Sequence, residues 1–206
     1  MKIERIASRP DRAGRYTVHF EDGETLRLYR QTAEDFGIYP GQEFTREEYE
    51  KLRAAASQLS AKMRAVRILS ASSVSKGDLQ HRLIQKGENP EDAKNAVAWM
   101  EEMHLIDDGE MARQVVRQCA AKGYGKARAK QALSEKRVPR EFWEAALADY
   151  PDQSEAIERF LQGRDLSDPR EKRRAIDALI RRGHTYAQIR RAMESMSPDV
   201  EFPEEM

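Results

Sequence analysis

One pattern recurs three times in this chain, and it limits the fold more than any other feature. The windows 78–100, 128–150 and 174–196 align without a gap. Leu83, Leu133 and Leu179 share one column, and Lys86, Lys136 and Arg182 share the column that closes the first helix of each window. Ala93, Trp143 and Ile189 form a third column. Ala96, Ala146 and Ala192 form another, followed by Val97, Leu147 and Met193, then Met100, Tyr150 and Met196. Successive windows are offset by 50 and then 46 residues. A period of this length marks one supersecondary unit stacked several times. The question it poses is what an array holds, not where a single active site lies.

Within each window the helical period is legible. Ala93/Ala96/Val97/Met100, Trp143/Ala146/Leu147/Tyr150 and Ile189/Ala192/Met193/Met196 fall at i, i+3, i+4 and i+7, which predicts one buried stripe per unit. Gly87 and Gly183 are placed to end the preceding helix in a left-handed turn. Pro90 and Pro139 are placed to open the next helix. Each window needs an earlier helix to close its core, and 62–69, 108–121 and 153–161 can supply it. The expected fold is mainly α: three three-helix units in tandem behind a short β-hairpin-rich leader. The expected divisions are a leader over 1–44, the long helix and first unit over 45–106, the second unit over 107–151, the third over 152–197, and an acidic tail over 198–206.

The leader reads as β. Segments 1–7, 15–20 and 24–29 alternate, and Asp22-Gly23 between two of them is a hairpin signal, since glycine reaches positive φ without steric cost. So small a β element must lean on the helical part of the chain. Thr45-Arg46-Glu47-Glu48 predicts a capping box at the start of a long helix over 47–69, with a break expected near Ser57–Ser60. Ser75-Lys76-Gly77-Asp78 repeats the capping pattern with Asp in place of Glu.

Composition bounds the rest. Charged residues make up 35% of the chain and the formal net charge is zero, so neither a strongly basic nor a strongly acidic partner is indicated by net charge. Aromatics are only 7%, so each core must rest on one or two large anchors. No apolar run approaches the ~20 residues of a membrane span. The first residues mix charges and resemble no signal peptide. Cys119 is the only cysteine, which excludes an internal disulfide. A cytoplasmic, monomeric protein with no membrane partner is expected.

No catalytic constellation is present: no phosphate loop, no nucleophile elbow, no His/Cys cluster at metal spacing. Neither a metal nor a cofactor is implied. His19, His81, His104 and His184 are scattered and read as surface or helix-end residues. Cys119 reads as a small packed thiol, and Asp107-Asp108 as a helix cap. Trp143 is expected in the core and Trp99 at its rim.

Charge is segregated along the chain. Between Glu88 and Glu110 the only Lys or Arg is Lys94, whereas Arg113, Arg117, Lys122, Lys126, Arg128 and Lys130 come next with no acid between them. The last unit adds Arg181, Arg182, Arg190 and Arg191. Arg113/Arg117 and Lys126/Lys130 are i, i+4 pairs, so each is expected to line a helix face without acidic compensation. Such faces attract phosphate or acidic protein surface. These ten residues are the candidate partner- or phosphate-binding set. Aromatics beside them are few, Tyr124 and Tyr186, which disfavours base stacking. The acidic end, 199–206, is read as either a fraying terminus or a cover for the basic third unit.

Several short motifs stand in a fixed order across the three repeats. They are the Asp22-Gly23 turn, Gly41-Gln42, Asp78-Leu79 with Leu83 and Lys86-Gly87, Leu105-Ile106-Asp107-Asp108 with Met111-Ala112, Lys122-Gly123 and Arg181-Arg182-Gly183. In these motifs, and over nearly its whole length, the chain resembles the RecX family, bacterial regulators of the recombinase RecA. Departures include Arg137, where a glycine is common, and His184, where an aromatic is usual. The resemblance implies a non-enzymatic protein that binds the RecA–DNA filament, lowers strand exchange and ATP hydrolysis, and so modulates recombination, repair and the SOS response. It implies contact with DNA weakly or through the filament. The competing expectation is a stand-alone nucleic-acid-binding module of tandem helix-turn-helix type.

Overall fold

The structure is a computed structural model, and it describes residues 1–196. The 199–206 acidic segment lies outside the described residues. The chain divides into two compact units, Met1–Ile106 and Asp107–Met206.

The first unit opens with three antiparallel strands in the order β1 (Ile3–Ile6), β2 (Arg15–Phe20) and β3 (Thr25–Tyr29). Val18 opposes Leu26 and Tyr16 opposes Leu28 across β2 and β3. The turn between them needs Gly23 at φ +88°, as its Asp-Gly sequence indicates. A short helix α1 (Arg30–Asp35) leads to α2 (Arg46–Ala71). The capping box at the start of α2 is present: Thr45 accepts from the Glu48 amide while the Glu48 carboxylate accepts from the Thr45 amide at 2.8 Å.

Helix α2 runs unbroken for 26 residues, against the expected interruption near Ser57–Ser60. Serine weakens a helix interior when its hydroxyl competes for the backbone. Here the hydroxyls are engaged elsewhere: Ser57 donates to Asp92, and Ser60 to Glu88 at 3.2 Å. The uninterrupted helix serves two cores. Tyr49, Leu52 and Ala56 pack with Ile3, Val18, Phe20 and Leu28 of the sheet, where the Phe20 and Tyr49 rings meet edge-on at 5.2 Å. Ala61 and Ala65, one and two turns further on, pack against α3 (Lys76–Gln85) and α4 (Pro90–Glu102) through Leu79, Leu83, Ala93, Ala96, Val97 and Met100. The predicted stripe of the first window is buried along its whole length.

The second unit holds α5 (Asp108–Ala121), α6 (Lys126–Glu135), α7 (Trp143–Leu147), α8 (Ser154–Leu161), α9 (Pro169–Arg181) and α10 (Tyr186–Met196). Its described residues form two apolar clusters. One gathers Met111, Ala112, Val115, Val116, Cys119, Ala129, Leu133, Val138 and Leu147. The other gathers Ile157, Leu161, Ala175, Leu179, Ile189, Ala192 and Met193.

Two predicted stripes are shorter than expected. In the second window a 3-10 turn, Arg140–Phe142, precedes α7, which stops at Leu147. Pro151 biases Tyr150 away from helical ψ, so the helix cannot reach that column. Tyr150 instead donates its hydroxyl to the Tyr124 carbonyl at 2.7 Å, and burial pushes its ionisation up to about 12. Trp143 is half-buried, not core: its indole N–H needs an acceptor and finds the Val138 carbonyl at 2.9 Å. In the third window burial ends at Met193, and Met196 is 37% exposed.

The column that ends the middle helix of each repeat takes the left-handed conformation throughout. Gly87 has φ +88° and Gly183 φ +89°, while Arg137 is forced to φ +51° in the second repeat. The backbone motif is kept even where the residue is unsuited to it.

Candidate functional site

The ten candidate cations divide into groups the sequence does not separate. Arg113 and Arg117 do not form an uncompensated face. Both reach back to Glu110, at 2.9 and 2.6 Å. That carboxyl is held below its ordinary range by hydrogen bonds first from Arg117 and then from Arg113. The acid lies just outside the basic run in sequence but three and seven residues away along one helix, hence on the same face. Arg128 is likewise matched with Glu135 at 2.9 Å, and Arg190 with Glu194 at 2.7 Å. These pairs are solvent-exposed and add little stability. They do neutralise charge that the linear pattern leaves unmatched.

The remaining candidates make no ion pair among the described residues: Lys122, Lys126, Lys130, Arg181, Arg182 and Arg191. All six are exposed. Lys122 is the C-cap of α5, and Lys126 and Lys130 lie one turn apart on α6. Arg181 ends α9 and Arg182 caps it. The Arg182 guanidinium sits 4.6 Å from the centre of the Phe160 ring, which Arg164 also covers at 4.5 Å. Aromatic support of this kind steadies a cation without consuming its charge. Arg191 stands apart on α10.

Four of these six, Lys122, Lys126, Arg181 and Arg182, flank two turns that meet, and Lys130 lies one turn further along α6. The α5–α6 turn carries Lys122-Gly123-Tyr124-Gly125, and the α9–α10 turn carries Arg182-Gly183-His184. The Gly125 amide donates to the Arg182 carbonyl at 2.9 Å, and the Ala127 amide to the Gly183 carbonyl at 3.3 Å. Helix α6 has no side-chain cap. Two of its N-terminal amides, Gly125 and Ala127, are satisfied by carbonyls just past the C-terminal end of α9, so the positive end of one helix dipole meets the negative end of the other.

His184 lies at this meeting point. It is a helix-end residue as expected, but it is buried, only 4% exposed. Its Nε2 lies 3.1 Å from the Gly123 carbonyl. A carbonyl can only accept, so Nε2 carries the proton and donates. Nδ1 is buried and has no hydrogen-bond partner among the described residues. Burial holds the imidazole below its ordinary pKa; the Gly123 bond opposes this and the Arg182 charge adds to it.

No group of His, Cys, Asp or Glu among the described residues could hold a metal ion, and no helix among them is long and apolar enough to cross a membrane. Cys119 is packed in the second-repeat core, where burial pushes its thiol up. Asp107 caps α5, accepting from the Glu110 amide at 2.8 Å. Trp99 is half-buried beneath the Lys62 ammonium, 5.1 Å from its ring centre.

Sequence reasoning missed the joint between the turns. A signal existed. Glycine at a helix N-cap, flanked by another glycine two residues earlier, leaves amides that something other than a capping side chain must satisfy. What supplies it is 57 residues downstream in the chain, Gly125 to Arg182, and no local pattern indicates that.

Comparison with known proteins fits this architecture. The family model described as RecX, second three-helix domain, matches residues 107–147. The regulatory protein RecX of Vibrio campbellii is 30% identical over 156 residues, spanning 73% of this chain and 99% of that protein. The regulatory protein RecX of Cronobacter sakazakii is 33% identical over 96 residues, 42% of this chain and 58% of that protein. Among solved structures, a crystal structure of a regulatory protein RecX superposes with a TM-score of 0.65 at 19% identity, covering 94% of this chain and 98% of that one. RecX from Lactobacillus salivarius superposes with a TM-score of 0.61 at 18% identity, covering 70% and 99%. At these identities the structural likeness speaks for the fold.

Proposed function

The chain belongs to the RecX family of regulatory proteins, and from that premise we propose that it binds the RecA–DNA filament and inhibits strand exchange and ATP hydrolysis. It does so as a monomer in the cytoplasm, without chemistry of its own, and thereby modulates recombination, repair and the SOS response. The observation that carries the reading is the group of exposed cations that make no ion pair among the described residues, Lys122, Lys126, Arg181 and Arg182 beside one joint and Lys130 one turn further along α6, in a protein of zero net charge. Local unmatched charge on a neutral chain suits a partner that offers both acidic protein surface and phosphate. Binding that differs between filament states is sufficient to shift their populations.

The same lysines favour a second reading, a module that binds nucleic acid directly. The two separate on salt and partner dependence. A direct binder holds bare DNA with a steep salt slope, losing about one unit of slope per phosphate contact removed. A filament regulator holds bare DNA weakly and the filament well. The experiment is the triple variant Lys122→Glu, Lys126→Glu, Lys130→Glu, assayed for inhibition of RecA ATP hydrolysis. Its inhibition is expected to fall by about ten-fold or more, since opposed charge at a contact costs several kcal/mol. A folded variant that inhibits as well as the parent excludes these lysines from the contact.

A further inference from the structure

The apolar clusters of the second and third repeats are separate, yet their turns are fitted together more closely than either core requires. A Cβ on Gly125 would lie 2.0 Å from the Gly183 carbonyl oxygen, and one on Gly183 would lie 2.3 Å from the Arg128 nitrogen. A Cβ on Gly123 would lie 2.9 Å from the Ala156 Cβ of α8. Three glycines are thus needed where the turns close on their neighbours. Only Gly123 and Gly183 also need positive φ. Gly125 has φ −77°, which any residue can adopt, so its lack of a side chain serves the close approach alone.

The residues beside this contact are the unmatched cations. Lys122 precedes Gly123, Lys126 follows Gly125, and Arg181 and Arg182 precede Gly183. Two sets of charge, one from each repeat, are therefore fixed relative to each other by backbone bonds, not by long side chains. Two tethered sites in a geometry that permits simultaneous engagement bind far better than the same sites uncoupled.

Resting on the reading of a filament regulator, we propose that the joint of Gly123–Gly125 with Arg182–His184 is a positioning device that presents the cations of two repeats to the filament as one constellation, with His184 as its lock. The neutral imidazole ties the α9–α10 turn to the α5–α6 turn through Gly123. A second proton on it would place a charge at a buried nitrogen that has no acceptor among the described residues. The charges beside it offer no help. Arg182 on its own turn opposes a second positive charge, and Arg128 of α6, whose backbone meets Gly183, is another cation, matched with Glu135.

The test uses the full chain carrying Gly125→Ala. The backbone conformation suits alanine, so the substitution strikes the joint and not the helix. Two readouts are taken: hydrogen-exchange protection of the amide at position 125, with the amides of Leu133 and Leu179 as references for the two cores, and half-maximal inhibition of RecA ATP hydrolysis. Expected is loss of protection at position 125, retained protection at both references, and a rise of about ten-fold in the concentration needed. His184→Gln is the second variant. It keeps a donor for Gly123 without a titrating ring. In the parent, protection at position 125 is expected to fall as pH drops below the ordinary imidazole value of 6.5, whereas in His184→Gln it stays level. An opened joint with unchanged inhibition overturns the positioning role, and so does protection in the parent that is indifferent to pH. If the lysine-to-glutamate triple variant inhibits normally as well, the cations lie outside the contact and the positioning role falls with them; the filament reading itself fails only if the parent leaves RecA ATP hydrolysis undiminished.

Discussion

Replacing Arg137 with glycine is expected to stabilise the second repeat, although it removes a long side chain and shortens nothing else. Arg137 holds φ +51° in a column where the other two repeats place Gly87 and Gly183 at +88° and +89°. Holding a residue with a Cβ in the left-handed region costs roughly 1–2 kcal/mol. Glycine removes that cost but returns about 0.5–1 kcal/mol through the extra freedom of its unfolded chain. The net gain is about 0.5–1 kcal/mol, less what Arg137 contributes through its own interactions. In a unit of this size that corresponds to a rise of about 2–6 °C in the midpoint. The assay is urea unfolding followed by Trp143 fluorescence in a Trp99→Phe background, because Trp143 packs on the second-repeat core and Trp99 on the first. A higher midpoint at unchanged slope supports the reasoning. A midpoint that is equal or lower refutes it, and means that the arginine's contacts outweigh the strain.

Three further outcomes are expected. Leu133→Ala removes a fully buried side chain from the second-repeat core and should cost ~2–5 kcal/mol by the same fluorescence assay; a loss under about 1 kcal/mol would mean that the core collapses onto the space. Glu110→Gln frees Arg113 and Arg117 together, so phosphate-dependent binding should rise and its salt slope steepen by up to about two units, with unfolding midpoints nearly unmoved; an unchanged slope would show that these arginines face no phosphate. His184 is held below its ordinary pKa, so the unfolded chain binds the proton more readily. Its contribution to stability is therefore complete above pH 6.5 and lost as pH falls below that value. Unfolding midpoints measured from about pH 7.5 to about pH 5.5 should fall in the parent and fall less in His184→Gln; parallel curves would dismiss the histidine as the source.

The architecture was legible because it is written in periodicity. The column of Leu83, Leu133 and Leu179 is fully buried, and a 3.6-residue period can mean little else when it recurs at a fixed spacing. The capping residues Thr45, Ser75 and Asp107 were legible for a related reason: each acts on an amide three residues away. What failed depended on partners at a distance. Ser57 and Ser60 looked like helix breakers because Asp92 and Glu88 are not visible from the α2 sequence. Trp143 looked like core because hydrophobicity ignores the indole N–H. The candidate site was legible only as a set of cations. Which of them are matched by internal partners depends on helix spacing that extends past the ends of the basic run. Which of them are brought together depends on a glycine contact that no local pattern encodes.

The most direct test of the regulator account is DNA-dependent ATP hydrolysis by RecA, titrated with this protein below one molecule per recombinase monomer. Strong inhibition at that ratio, with weak retention of bare DNA at the same salt, is the result the account predicts. Undiminished hydrolysis together with tight, steeply salt-dependent binding to bare DNA would contradict it, and would make the array a nucleic-acid-binding protein on the family's fold.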